Sequence, residues 1–188
     1  MDTFMNFTNL ILMIWLVIEI ALILRSRDNS DRVQDAGTFR GIWMSIAATF
    51  LLANAVGYWS RGWSFILPFW LGNFGLILLL CGIGFRHYAI RVLGRFFSAR
   101  VMIQADHQLV QNGPYRLLRH PAYTGAWIAF VGVGFTTRNA VEVLIFAVLP
   151  LGGLLRRIHV EEHVLRQTFG ETYEEYARRT WLLIPFVY

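Results

Sequence analysis

Residues 122–155 read AYTGAWIAFVGVGFTTRNAVEVLIFAVLPLGGLL, two apolar runs (122–135 and 140–155) with the polar tetrad TTRN between them. A four-residue polar connection can only join antiparallel neighbours, so the stretch forms a helical hairpin. Each run is short for a membrane crossing, which takes about 20 apolar residues, so the hairpin tilts or borrows length from flanking polar turns. Toward the N-terminus three longer apolar segments, 4–24, 41–59 and 65–85, each reach a full crossing. The predicted fold is therefore all-α: a multi-pass transmembrane helical protein of five spans, ending in a C-terminal helical hairpin and cytoplasmic amphipathic helices.

Composition agrees with a membrane protein of one domain: 188 residues, mean hydropathy +0.47 and only 15% charged residues. The first apolar stretch lacks a basic start and a small-residue cleavage site, so it reads as a span and not as a cleavable signal peptide. The one cysteine, Cys81, lies inside an apolar run, which excludes an intrachain disulfide scaffold. A net charge of +5 does not imply nucleic acid here. The basic residues are all arginines, and most border apolar segments, where they face membrane-lipid phosphates. Fifteen of the seventeen lie after the first span, between Arg86 and Arg119, or from Arg156 onward; Arg61 and Arg138 lie in the two remaining connections. That alternation places the N-terminus outside and the C-terminus, with the polar chemistry, in the cytoplasm.

Two of these polar segments hold most of the chemistry. In IQADHQLVQNGPYRLLRHPAYTG (103–125), Pro114 and Pro121 fix the chain path around Tyr115, Arg119 and His120. His120 reads either as a helix-start residue satisfied by a backbone carbonyl or as a ligand contact. In RRIHVEEHVLRQTFGETYEEYARRTWLLIP (156–185), the spacing lets Arg157 meet Glu161, and Glu162 meet Arg166, on a helix that Gly170 ends. ETYEEYARRT follows as an amphipathic turn whose tyrosines face lipid or protein. The pair Glu161 and Glu162 emerges close to the headgroups, where carboxylates are costly unless paired or bound to a cationic ligand. A rigid loop with a histidine and aromatics beside such a pair can hold a cationic, partly aromatic cofactor.

These two segments together resemble the isoprenylcysteine carboxyl methyltransferase family, and more broadly the integral membrane methyltransferases that include phospholipid N-methyltransferases. The shared pattern is R-H-P-x-Y-x-G, a short helical hairpin, an E-E pair, F-G, two tyrosines and a terminal I-P, over residues 101–185. The resemblance implies a single integral membrane methyltransferase domain over 1–188, with residues 85–188 as the cofactor-binding and catalytic region. It implies S-adenosyl-L-methionine as cofactor, held by Gln104; by His107, Gln108, Leu109 and Val110; by Tyr115; by His120, Pro121, Ala122 and Tyr123; and by Glu161, with Glu162 beside it. Ala122 stands where many members have serine. Arg157 would contact the acceptor carboxylate, and Arg157 and Glu161 would be the catalytic pair. The acceptor would be a lipophilic small molecule or lipidated chain drawn from among membrane lipids. No strand–glycine-loop–helix unit of the soluble dinucleotide-binding type is present.

Two other readings attach to short motifs. Gly82-Ile83-Gly84 resembles the G-x-G of the phospholipid branch, which would make the acceptor an amine, although small residues in a membrane helix also serve packing. His159 to His163 fits H-x-x-E-H, an inverted zinc-protease pattern that would still need a third ligand. Glu19, inside the first span, is expected to pair with an arginine at the cytoplasmic rim. The seven tryptophans fit interfacial belts.

Overall fold

The computed structural model describes residues 2–25, 37–59, 66–98 and 108–186. Six α-helices appear in them: α1 (Asp2–Arg25), α2 (Thr38–Trp59), α3 (Phe69–Leu93), α4 (Pro121–Thr136), α5 (Ala140–Phe169) and α6 (Glu171–Arg178). The expected all-α membrane fold is the one found. Four helices, α1, α2, α3 and α5, are long and apolar enough to cross a membrane. The remaining expected span, α4, has 16 residues, about 24 Å at the α-helical rise and less than the hydrocarbon thickness. It is buried along most of its length, lying between α3 and α5.

Glycines set how closely α3 and α4 approach. A Cβ on Gly82 would lie 2.4 Å from the Ala129 nitrogen, and one on Gly132 would lie 2.4 Å from the Leu79 nitrogen. Gly75 and Gly125 meet the opposite backbone in the same way, so the pairs 75/82 and 125/132 interlock across one seam. Gly82 is thus a packing contact, and Gly84 has nothing within 4 Å of its Cβ position. Around this seam Leu79, Ala129, Phe130, Val133 and Phe146 form the buried core with Trp15 and Ala53.

The hairpin turn is built as its sequence requires. Asn139 caps α5 by accepting from the Val141 amide at 3.0 Å, and Arg138 takes a positive φ of 60°. The apolar run 140–155 and the charged helix that Gly170 is expected to end form one element: α5 continues through the charged residues to Phe169. At 30 residues it is about 45 Å long, so about 15 Å projects beyond a bilayer core of about 30 Å. Its projecting turns carry Glu161 and Glu162, and Arg157 lies one turn before them, near the edge of that core. Gly170, at φ 52°, ends α5 with its amide on the Arg166 carbonyl and starts α6.

Candidate active site

The loop ahead of α4 is held from several sides. Pro114 opens a single 3₁₀ turn, Gly113–Arg116, that buries Tyr115. From α6 the Tyr176 hydroxyl donates to the Tyr115 carbonyl at 2.9 Å and the Leu118 carbonyl at 3.3 Å. The C-terminal segment runs parallel to the loop: the Arg119 amide donates to the Trp181 carbonyl (2.8 Å) and the Trp181 amide to the Leu117 carbonyl (2.9 Å). Thr124 donates to the Leu183 carbonyl at 2.8 Å. The tyrosines of α6 therefore face protein. Burial pushes the phenols of Tyr115, Tyr173 and Tyr176 above the ordinary tyrosine range, so each stays a protonated donor at neutral pH.

The two adjacent glutamates part company, because neighbours on a helix point about 100° apart. Glu162 is buried and turns toward the loop. One of its oxygens lies 2.8 Å from His120 Nε2 and accepts from the Tyr173 hydroxyl at 2.5 Å. The other accepts from Arg119 at 2.8 Å and Arg166 at 3.2 Å. His120 is thus satisfied by a carboxylate and not by the backbone carbonyl that a helix-start residue would use. Glu161 turns the other way and accepts from the Tyr123 hydroxyl at 2.8 Å, while Arg157 Nε donates to the same hydroxyl oxygen at 2.7 Å. Tyr123 thus joins the Arg157 and Glu161 that the sequence spacing places on one helix face.

Two cavities meet at this point. The first is polar and aromatic and lies between the loop, α4 and the projecting part of α5; Gln108, Leu109, Val110, Tyr115, His120, Ala122, Tyr123, Arg157 and Glu161 all line it. The second, of about 650 Å³, is an apolar groove walled by α1, α2 and α4, with Leu12, Leu16, Ile42, Ile46, Phe50 and Phe130 on its surface. Arg86, Tyr123 and Arg157 line both.

Of the residues expected at the cofactor site, Pro121 and Glu162 do not line the polar cavity. Pro121 is buried at the first turn of α4, and Glu162 is engaged by the loop, as above. Gln104 and His107 lie outside the described residues. Arg86, Arg119, Tyr173 and Tyr176 also line the cavity, although the sequence reading assigns none of them to the cofactor site; Arg86 is the first charge after an apolar run of a full span. Glu19 did pair with an arginine, but the partner is Arg86 on α3, at 2.6 Å. Trp15 departs from the interfacial belt: it is buried within α1 and donates to Glu19 at 2.9 Å. The H-x-x-E-H motif does not assemble. His159 and His163 are exposed, Glu162 is buried against His120, and no metal-holding group of three occurs among the described residues.

Residues 75–167 match the model of the isoprenylcysteine carboxyl methyltransferase family. The chain is 39% identical over 120 residues to protein-S-isoprenylcysteine O-methyltransferase B of Arabidopsis thaliana, covering 63% of this chain and 61% of that one. With form A of the same plant the identity is 41% over the same shares. Over residues 75–167 the chain belongs to this family. A solved structure of the eukaryotic intramembrane Ras methyltransferase, an isoprenylcysteine carboxyl methyltransferase, superposes with a TM-score of 0.63. That match has 26% sequence identity and covers 77% of this chain and 52% of the other. The chain spans about three fifths of the length of the curated family relatives it matches. The family match begins within α3 and ends in α5, so it takes in Arg86, the loop, α4, Arg157 and both glutamates.

Proposed function

We propose that this protein transfers the methyl group of S-adenosylmethionine to the carboxylate of a lipophilic, prenylcysteine-like acid at the membrane. The observation that carries the reading is the junction of a polar cavity with an apolar groove at Arg86, Tyr123 and Arg157. A lipophilic acceptor can lie in the groove among α1, α2 and α4 and present its polar end at that junction. The names of the matched relatives, protein-S-isoprenylcysteine O-methyltransferases, point to the same acceptor class.

The donor set of the polar cavity fits the cofactor. Its rings, Tyr115 and Tyr123, suit an adenine or a sulfonium, and Glu161 supplies a carboxylate for a cationic group. Bound there, S-adenosylmethionine supplies an activated sulfonium methyl. The protein's part is alignment. Arg157 offers the planar fork suited to a carboxylate, and Tyr123 holds it at a fixed distance from Glu161. A carboxylate acceptor is already ionised at neutral pH and needs no general base. An amine acceptor would have to lose a proton while facing Arg86 and Arg157, which disfavours N-methylation. Glu162 acts as a structural tie between loop and helix. The arginine distribution supports a cytoplasmic location for this cavity and the C-terminus, with the N-terminus outside.

S-adenosylhomocysteine should bind the detergent-solubilised protein and raise its melting temperature, as a native-state ligand must. Glu161→Ala should weaken that binding by about tenfold or more, since a hydrogen bond to a charged group is worth about 1.5–3 kcal/mol. Isothermal titration calorimetry measures both. Unchanged affinity in a folded Glu161→Ala protein removes Glu161 from the cofactor cavity.

A further inference from the structure

Glu19 is an ionisable residue in the first span, outside the family match. Its side chain and that of Arg86 are each about 15% exposed, 15% and 14% respectively. Arg86 Nε donates to one carboxylate oxygen at 2.6 Å and Nη2 to the other at 2.8 Å, a two-pronged contact that fixes the plane of the guanidinium. Nη1 donates to the Ala122 carbonyl at 3.1 Å, at the first turn of α4. Behind this pair, Trp15 donates to Glu19 and packs its ring against Phe130, 5.5 Å between centroids. A bare span anchor would need no such constraint. A guanidinium has five N–H groups, and three of them are taken up by these contacts. The other two, one on each terminal nitrogen, have no partner among the described residues and remain for the two cavities that Arg86 lines together with Tyr123 and Arg157.

We propose that Glu19 is a positioning residue for methyl transfer: it fixes the Arg86 guanidinium at the junction of the two cavities, where its two remaining donors meet the acceptor carboxylate beside Arg157. This inference rests on the carboxylate reading above. It also accounts for the charge at the junction. Two arginines facing one carboxylate would leave a surplus positive charge in a poorly solvated place, and Glu19 offsets it. With Glu19 present, Arg86 contributes oriented donors, and Arg157 supplies the net charge that the acceptor balances.

The alternative is that Glu19 merely ties α1 to α3 and so keeps one wall of the acceptor groove in place. Acceptor length separates the two. Two S-alkylated cysteine acids, one carrying a farnesyl chain and one a butyl chain, are compared on wild-type protein and Glu19→Gln, with S-adenosylhomocysteine affinity measured alongside. Glutamine keeps the size and can still accept from Trp15, but its amide sets N–H against the N–H of Arg86. If Glu19 positions Arg86, kcat/KM should fall about tenfold with both acceptors, chiefly through kcat, with cofactor-product affinity within about twofold of wild type. A loss confined to the farnesyl acceptor, or carried by KM alone, overturns the proposal in favour of a wall-holding role. Trp15→Phe retains the ring against Phe130 and removes the donor to Glu19. It should lower kcat with the butyl acceptor by about threefold, and it decides the matter if Glu19→Gln does not fold; wild-type kcat in Trp15→Phe would then count against the proposal. Failure of the wild-type protein to esterify either acid refutes the carboxylate reading itself, whereas normal esterification by Glu19→Gln refutes only the role of Glu19.

Discussion

Arg157→Ala should lower methyl transfer to a lipophilic acid by about a hundredfold or more while leaving S-adenosylhomocysteine affinity close to wild type. The size follows from losing a charge-assisted contact worth about 3 kcal/mol, each 1.4 kcal/mol being a factor of ten in rate. The selectivity follows from geometry. Arg157 is 3% exposed and stands where the groove meets the polar cavity, so its loss reaches the acceptor side first. Arg157→Lys should recover part of the activity, because an ammonium keeps the charge but not the planar fork that also reaches Tyr123. Initial rates and calorimetry on both variants check this. Wild-type turnover by Arg157→Ala would reject a role for this arginine in holding the acceptor.

Glu162→Ala should act on the fold and not on one ligand. Its carboxylate joins His120 at the start of α4, Arg119 in the loop, Arg166 on α5 and Tyr173 on α6. Removing it leaves buried polar partners without their acceptor, a loss of about 3–5 kcal/mol. For a chain of this size that corresponds to a fall of about 10 °C in melting temperature, read by differential scanning fluorimetry in detergent. Glu161→Ala, one residue away, should lower the ligand-free melting temperature by no more than about 4 °C, because the single Tyr123 hydrogen bond it gives up is worth about 1 kcal/mol. If the two variants melted alike, the division of labour between the adjacent glutamates would be wrong.

The sequence made the membrane helices legible because a span needs a run of apolar residues whose length the bilayer sets. It was less informative about whether two helical stretches join, although Gly170 marks the end of α5. The change from LGGLL to RRIHVEEH marks the membrane surface, yet α5 crosses it unbroken, since helical hydrogen bonds continue whatever solvent the side chains meet. The loop and the Arg157 and Glu161 pair were legible from prolines and i,i+4 spacing. Tyr123 as the link between that pair was not, because it comes from another helix, 34 residues before Arg157. The Glu19–Arg86 pair spans 67 residues, so local spacing could give the kind of partner, an arginine, but not which one. From the sequence, Glu162 is hard to tell from Glu161, its neighbour in the E-E pair. Only the packing of the loop and α6 against it gives its carboxylate four partners.

The central claim, ester formation on a lipophilic acid, has a direct measurement. The purified protein is incubated with S-adenosylmethionine labelled in its methyl group and with an S-farnesylated cysteine acid, and the extracted product is treated with base. A carboxyl methyl ester releases its label as volatile methanol under those conditions, so base-labile label in the acid, absent with the corresponding amide, is the expected result. Label that resists base, or that appears only when a membrane amine such as an aminophospholipid is supplied, would contradict the account.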